Sequence, residues 1–149
     1  MDRIEKAIFY NMCMICDGRG NVLVQDRVKS WNGIAFPGGH VEFEESFVDS
    51  TIREIKEETG LIISNLNLVG VKQWFNKETG RNVCFLYKTN SFKGELLEET
   101  EEGRNFWIPL NRINEMNIAS GFDLMLEVFE NNNLSEFYHN RDKKTDFIK

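Results

Sequence analysis

Three carboxylates, Glu54, Glu57 and Glu58, stand at i, i+3 and i+4 in a segment that reads as a helix, so they share one face within about one turn. Like charges at that spacing cost a bare helix a few tenths of a kcal/mol per pair, on the order of what a single cap restores. A divalent cation removes that cost: magnesium or manganese takes carboxylate oxygens and leaves coordination positions open to water and phosphate. The chemistry this spacing suits is cation-dependent work on a phosphate group.

The elements that must hold the carboxylates in place follow from the surrounding sequence. Ser46–Thr59 is predicted as the helix, with Ser46 and Asp49 forming a capping box and Gly60 ending it in a left-handed conformation. Val48, Ile52, Ile55 and Thr59 form the stripe expected to pack inward. Upstream, Ala7–Cys16 reads as a strand, Asp17–Asn21 as a turn, and Val22–Gln25 as its hairpin partner. A loop over residues 29–33 carries Trp31, and Ala35-Phe36-Pro37-Gly38-Gly39 follows, its two glycines free to take unusual backbone angles. Downstream, Leu66–Phe75 and Asn82–Thr89 are strand-like around a turn at Asn76–Arg81, Asn105–Leu110 is a short strand, and Gly121–Glu130 is a second amphipathic helix broken by Asn131-Asn132-Asn133. Residues 141–149 are charged and expected to be a mobile tail. The whole, 1–149, reads as one α/β domain with helices covering a mixed sheet.

Composition narrows the function. The chain has 149 residues, 24 acidic and 18 basic, a net charge of −6, and 41% apolar residues with 12 Phe, enough for a sizeable core. The negative charge is concentrated. Gly38–Leu61 holds seven carboxylates and two bases, and Glu95–Glu102 holds five carboxylates and no base. Phosphate-neutralising nucleic-acid binding wants the opposite sign, so no stable nucleic-acid complex is expected. No apolar run approaches the ~18–20 residues of a membrane span, and the charged N-terminus lacks a signal-peptide core, so a cytoplasmic protein is expected. Cys13 and Cys16 form a C-x-x-C, but three residues apart on a strand point to opposite faces, which does not make a zinc site.

Gly39, Glu45 and Arg53-Glu54-Ile55-Lys56-Glu57-Glu58-Thr59-Gly60-Leu61 together resemble the Nudix box, G-x5-E-x7-R-E-U-x-E-E-x-G-U, at all nine defined positions over 23 residues. The resemblance implies an α/β/α sandwich on a mixed sheet. It also implies hydrolysis of a nucleoside diphosphate linked to another moiety. Glu54, Glu57 and Glu58 then correspond to the metal ligands and the Gly38 carbonyl to a backbone ligand, with Mg2+ or Mn2+ as cofactor. Gly39, Glu45, Arg53 and Gly60 hold the box together, Glu45 pairing with Arg53. Many members draw a further ligand or base from an acidic loop, a place Glu101 and Glu102 match; the general base is Glu54 or one of these two. The family often has Gly where this chain has Glu44, which puts the conformation of that loop in question.

The proline after the box found in ADP-ribose hydrolases, the tyrosine of dinucleoside-polyphosphate hydrolases and the S-Q-P-W-P-F-P run of NADH pyrophosphatases are all missing. A MutT-like triphosphate hydrolase, acting on nucleotides that include oxidised guanine forms, survives best. Other nucleotide derivatives (an ADP-sugar, a dinucleotide, an RNA cap) and a non-catalytic nucleotide sensor are the alternatives. Trp31, Trp74 and Phe75 are candidates to stack on the base, Asn117 and Ser120 to face its edge, and Arg27, Lys29 and Lys72 to meet phosphate. The family's frequent dimers allow a homodimer here by analogy.

Overall fold

The computed structural model describes residues 2–29 and 31–149; Met1 and Ser30, the latter inside the predicted loop, lie outside them. In chain order the elements are β1 (Ala7–Ile15), β2 (Asn21–Arg27), β3 (Gly33–Ala35), β4 (Gly38–His40), α1 (Phe47–Thr59), β5 (Ile62–Ser64), β6 (Asn67–Asn76), β7 (Gly80–Thr89), β8 (Ser91–Lys93), β9 (Glu99–Thr100), β10 (Gly103–Pro109), a 3₁₀ segment (Leu110–Glu115), α2 (Phe122–Glu130), β11 (Glu136–Asn140) and β12 (Thr145–Ile148).

The alternation along β1 sets the layers. Its odd positions Cys13 and Ile15 enter one core with Leu23, Ile55, Leu61, Ile63 and Tyr87. Its even positions Met12, Met14 and the following Cys16 enter the other, where Phe36 meets Phe122 and Phe129 edge-on at 4.9 and 5.0 Å. A strand buried on both faces must carry apolar residues at every position, as Ala7–Cys16 nearly does. Cys13 and Cys16 accordingly sit on opposite sides of the sheet, as expected.

The six-stranded sheet runs β12-β11-β6-β7-β1-β4. β1 pairs parallel with β7 and β11 with β6, while the other pairings are antiparallel, so the sheet is mixed. A four-stranded sheet, β3-β2-β10-β9, and the β5–β8 ribbon complete the fold. α1 packs on β1, β4 and β5, and α2 on β6 and β11 across the sheet. Among the described residues no helix is long and apolar enough to cross a membrane.

Two expectations need correction. The segment 141–149 contains β12, which pairs with β11 from Phe137↔Ile148 to Asn140↔Thr145 and forms the outer edge of the sheet. Most of its charges, Arg141, Asp142, Lys143 and Lys144, lie in the turn before the strand, and β12 itself, Thr145-Asp146-Phe147-Ile148, carries one. The helix buries Ser50, Thr51, Ile55, Glu58 and Thr59, whereas Val48 is exposed. The stripe is rotated toward small polar residues because they permit close approach to β4, and Asn11 Nδ2 reaches Ser50 Oγ at 3.0 Å there.

Candidate active site

Ser46 caps the helix, its hydroxyl accepting from the Asp49 amide at 2.9 Å, though the return bond from the Ser46 amide to the Asp49 carboxylate that would complete the predicted capping box is not formed; Gly60 takes φ 81° and donates to Lys56 O at 2.9 Å. Between these ends the helix runs past β4, which consists of Gly38-Gly39-His40. Neither glycine has positive φ, contrary to expectation; both are required by contact instead. A Cβ on Gly38 would lie 2.0 Å from the Asn11 carbonyl oxygen, and one on Gly39 would lie 2.2 Å from the Glu54 carboxyl carbon. The Asn11 side chain joins strand to helix, accepting from the Gly39 amide at 3.0 Å while donating to Ser50.

Glu58 is only 8% exposed and accepts from the Gly38 amide at 3.3 Å. Burial raises its pKa to about 7, against the lowering influence of Arg27. Burial likewise raises Glu54, with Arg53 opposing it. The Glu57 side chain is 59% exposed. Glu54, Glu57 and Glu58 line a cleft of about 310 Å³ whose opposite wall is Thr100, Glu101 and Glu102. Glu101 and Glu102 therefore share a cleft with the helix carboxylates although Glu101 is 43 residues beyond Glu58 in the chain.

Each acidic group in this cleft has a basic or amide partner. Arg53 grips Glu45 with two bonds, Nε at 2.7 Å and Nη2 at 2.9 Å, and also donates to the His40 carbonyl at 3.0 Å. Its Nη1 reaches Glu54 at 3.0 Å and Glu57 at 3.2 Å. These partners hold its pKa far up, first through Glu45. Lys29 meets Glu101 at 3.1 Å on the surface. Arg27, with a side chain 12% exposed, meets Glu102 at 3.2 Å, donates to Gln25 at 3.2 Å and lies 4.3 Å from the Trp31 ring; its Nε is buried without a partner. As they stand, no three acidic, His or Cys side chains among the described residues gather around a single point.

Sequence reasoning missed the polar relay behind this wall. Gln25 donates to Asn105 at 3.1 Å, and Asn105 donates to the Glu58 and Leu97 carbonyls, each at 2.8 Å, fixing α1 to β10 and to the acidic loop. A lone Asn within an apolar strand run, as Asn11 is, was an available signal, since a polar group buried there needs a partner; Gln25 and Asn105, each beside charged residues at the end of its run, gave none.

The candidate base-contact residues are not brought together. Trp31 covers Arg27. Trp74 and Phe75, consecutive on β6, point to opposite faces of the sheet, and Trp74 lies 5.1 Å from the Tyr10 ring on the α2 side. Asn117 and Ser120 are exposed, and the Asn117 carbonyl accepts from the Ile34 amide at 2.9 Å beside β3. On the α2 side, one row crosses the sheet through Ile148, Phe137, Lys72, Cys84, Tyr10 and His40.

A sheet lies between helical layers, and a carboxylate helix faces an acidic loop beside a glycine strand, a site whose side-chain donors are hard carboxylate oxygens. Residues 11–129 match the family model for the NUDIX domain, and the chain belongs to that family. It is 38% identical over 89 residues to the uncharacterized Nudix hydrolase YvcI of Bacillus subtilis (strain 168), covering 57% of this chain and 56% of that protein. It is 31% identical over 84 residues to an oxidized purine nucleoside triphosphate hydrolase of Danio rerio, covering 56% of this chain and 51% of that protein. The chain thus spans about half the length of the curated relatives it matches. The crystal structure of a MutT protein from Bacillus halodurans superposes with a TM-score of 0.79 at 23% identity, covering 95% of this chain and 97% of that one, which shows the fold, an α/β/α sandwich.

Proposed function

We propose that this chain is a Mg2+- or Mn2+-dependent pyrophosphohydrolase that cleaves a nucleoside triphosphate to a monophosphate and pyrophosphate, oxidised purine nucleotides among its substrates. The observation that carries the proposal is the single cleft lined by Glu54, Glu57 and Glu58 on one side and Glu101 and Glu102 on the other. The donor set fits the cation. Carboxylate oxygens are hard ligands, the missing Cβ of Gly39 makes room for the Glu54 carboxylate, and Glu58 is buried at a cost that a positive charge would offset.

Glu54, Glu57, Glu58 and the Gly38 carbonyl would hold the ion. A bound divalent cation neutralises the polyphosphate oxygens and acidifies water. Attack of water on phosphorus breaks the bond to the leaving pyrophosphate, and the water's proton passes to a carboxylate. Glu54, half-buried with a raised pKa, is the first choice for that base, and Glu102 the second. Arg27 borders the cleft with a buried unpartnered nitrogen and can turn from Glu102 toward an incoming phosphate. Arg53 keeps Glu45 and β4 in place, and its bonds to Glu54 and Glu57 would have to loosen for these carboxylates to hold a cation.

The retained carboxylates favour turnover over a sensor role. The test is a panel of nucleoside triphosphates, nucleotide sugars, dinucleotides and capped RNA, with Mg2+ and with product identification. Monophosphate and pyrophosphate are the expected products from a triphosphate; a folded protein that turns over no panel member overturns the proposal.

A further inference from the structure

The α2 face of the sheet is only partly covered. At Gly70 an added Cβ would meet Val128 of α2 at 2.6 Å, so helix and strand are in contact there, but two residues further along β6 Lys72 emerges half-buried, followed by Trp74. The Lys72 ammonium lies 5.0 Å from the Trp74 ring centre and 5.4 Å from that of Phe137. It makes no hydrogen bond or ion pair with any described residue. Its neighbours are engaged. The Tyr10 hydroxyl donates to Asn82 at 3.2 Å, the Asn82 amide donates to Thr79 at 2.8 Å, and Asp146, the carboxylate whose charge reaches Lys72, is paired with His139. Arg141 adds a second positive charge nearby, and burial lowers the Lys72 pKa.

The two ring faces attract the ammonium, but none of its three N–H donors has an acceptor among the described residues, so all three are open to whatever enters. The row Lys72–Cys84–Tyr10–His40 links this point to the catalytic side. Three strand spacings, about 14 Å, separate β6 from β4, and the aromatic surface is continuous, with Tyr10 4.5 Å from His40 and 5.1 Å from Trp74. His40 follows Gly39, which abuts Glu54. β4 is the edge strand of this sheet, so a nucleotide with its phosphates at the carboxylate helix can pass round that edge and lay its base along the aromatic surface toward the Lys72 side chain.

We propose, resting on the nucleotide-hydrolase reading above, that Lys72 is a specificity-determining residue that donates to the exocyclic oxygen of a keto base and so selects guanine-, hypoxanthine- or uracil-type nucleotides over adenine- or cytosine-type ones. A keto oxygen accepts from the ammonium. An exocyclic amino group at the same place offers only donors and leaves the ammonium unpaired. Sites that must satisfy a buried polar group discriminate more strongly than apolar pockets do.

Inosine and adenosine nucleotides differ only at the 6-position group and in whether the adjacent N1 carries a proton, and they make the test, the Lys72 variants separating the two differences. Binding of IMP and AMP is measured by tryptophan fluorescence and calorimetry, and kcat/KM for ITP and ATP with Mg2+, on the wild type, Lys72→Met and Lys72→Gln. The wild type is expected to favour the inosine ligand by about tenfold or more. Lys72→Met is expected to bring the ratio near one, chiefly through KM. Lys72→Gln, which both donates and accepts, is expected to bind the two alike. Thermal melting reports folding of both variants, and if the methionine variant does not fold, the glutamine variant carries the test. A wild type that binds the two equally or binds neither, or a preference that survives in the folded variants, overturns the assignment. Selective, Lys72-dependent binding without turnover of any nucleotide would leave Lys72 standing and remove the hydrolase reading; turnover with a ratio indifferent to Lys72 would do the reverse.

Discussion

Arg53 Nη1 lies 3.0 Å from Glu54 and 3.2 Å from Glu57, so the arginine that clamps Glu45 also occupies two carboxylates expected to hold the cation. Glu45 restrains this competition by holding the guanidinium from the other side. In Glu45→Ala, Arg53 is freed to pair fully with Glu54 and Glu57. The expected result is a loss of about 10-fold or more in apparent Mg2+ affinity, in the range of lost outer-sphere partners, measured by titrating activity or calorimetric heat with Mg2+. An unchanged Mg2+ dependence would show that Arg53 is no competitor.

Gly38 and Gly39 predict opposite outcomes for one change. Gly38→Ala drives a methyl into the Asn11 backbone, 2.0 Å from its oxygen, which cannot move without breaking the β1–β4 pairing; insoluble or strongly destabilised protein is expected. Gly39→Ala meets the end of the Glu54 side chain, which can swing aside. That variant is expected to melt within a few degrees of the wild type yet lose about 100-fold in kcat, since misplacing a reacting group by about 1 Å has that effect. Circular dichroism and steady-state rates on the pair decide it.

Glu44 has φ 65°, a left-handed conformation that non-glycine residues adopt at a cost of about 1 kcal/mol or more. The doubt raised by its side chain in the sequence is thus resolved, because the turn keeps the geometry that glycine would adopt. Glu44→Gly relieves the strain and gives back part of it as unfolded-state entropy, a net gain of roughly 0.5 kcal/mol. Urea melts of Glu44→Gly and Glu44→Ala separate backbone from charge: only the glycine variant should be stabilised.

Glu58 makes the metal-free protein sensitive to pH. Its folded pKa, about 7, exceeds the ordinary carboxylate value of 4.5, so the native state holds the proton more tightly than the unfolded chain. That contribution is complete below pH 4.5 and disappears as pH rises through about 7. In chelator at pH 8, Glu58→Gln is therefore expected to be more stable than the wild type by on the order of 3 kcal/mol, with the two converging near pH 4.5. A wild type equally stable to its variant at pH 8 would contradict the burial assigned to this carboxylate.

Local spacing was legible and long-range pairing was not. The period that placed Glu54, Glu57 and Glu58 on one face depends only on helical geometry, and Ser46 and Gly60 marked the ends by their own chemistry. Arg27 and Glu102, 75 residues apart, meet only because β2 and β10 pair in a register that turns do not fix. The helix stripe was misjudged at Val48 because burial on α1 follows the close approach to β4, where Ser50 fits and a branched chain does not. β12 escaped notice because four residues at a sheet edge carry little apolar periodicity.

The sheet's two-sided burial also equips the molecule with internal clocks. Cys13 and Cys84, both unbridged thiols, lie on opposite sides of it, and burial pushes the Cys84 thiol up to about 12 and Cys13 higher still. Neither reacts with an alkylating reagent while its layer stays shut. Their separate modification rates would time the parting of the α1 layer and the α2 layer independently, showing whether the sandwich comes apart from one side first or from both at once.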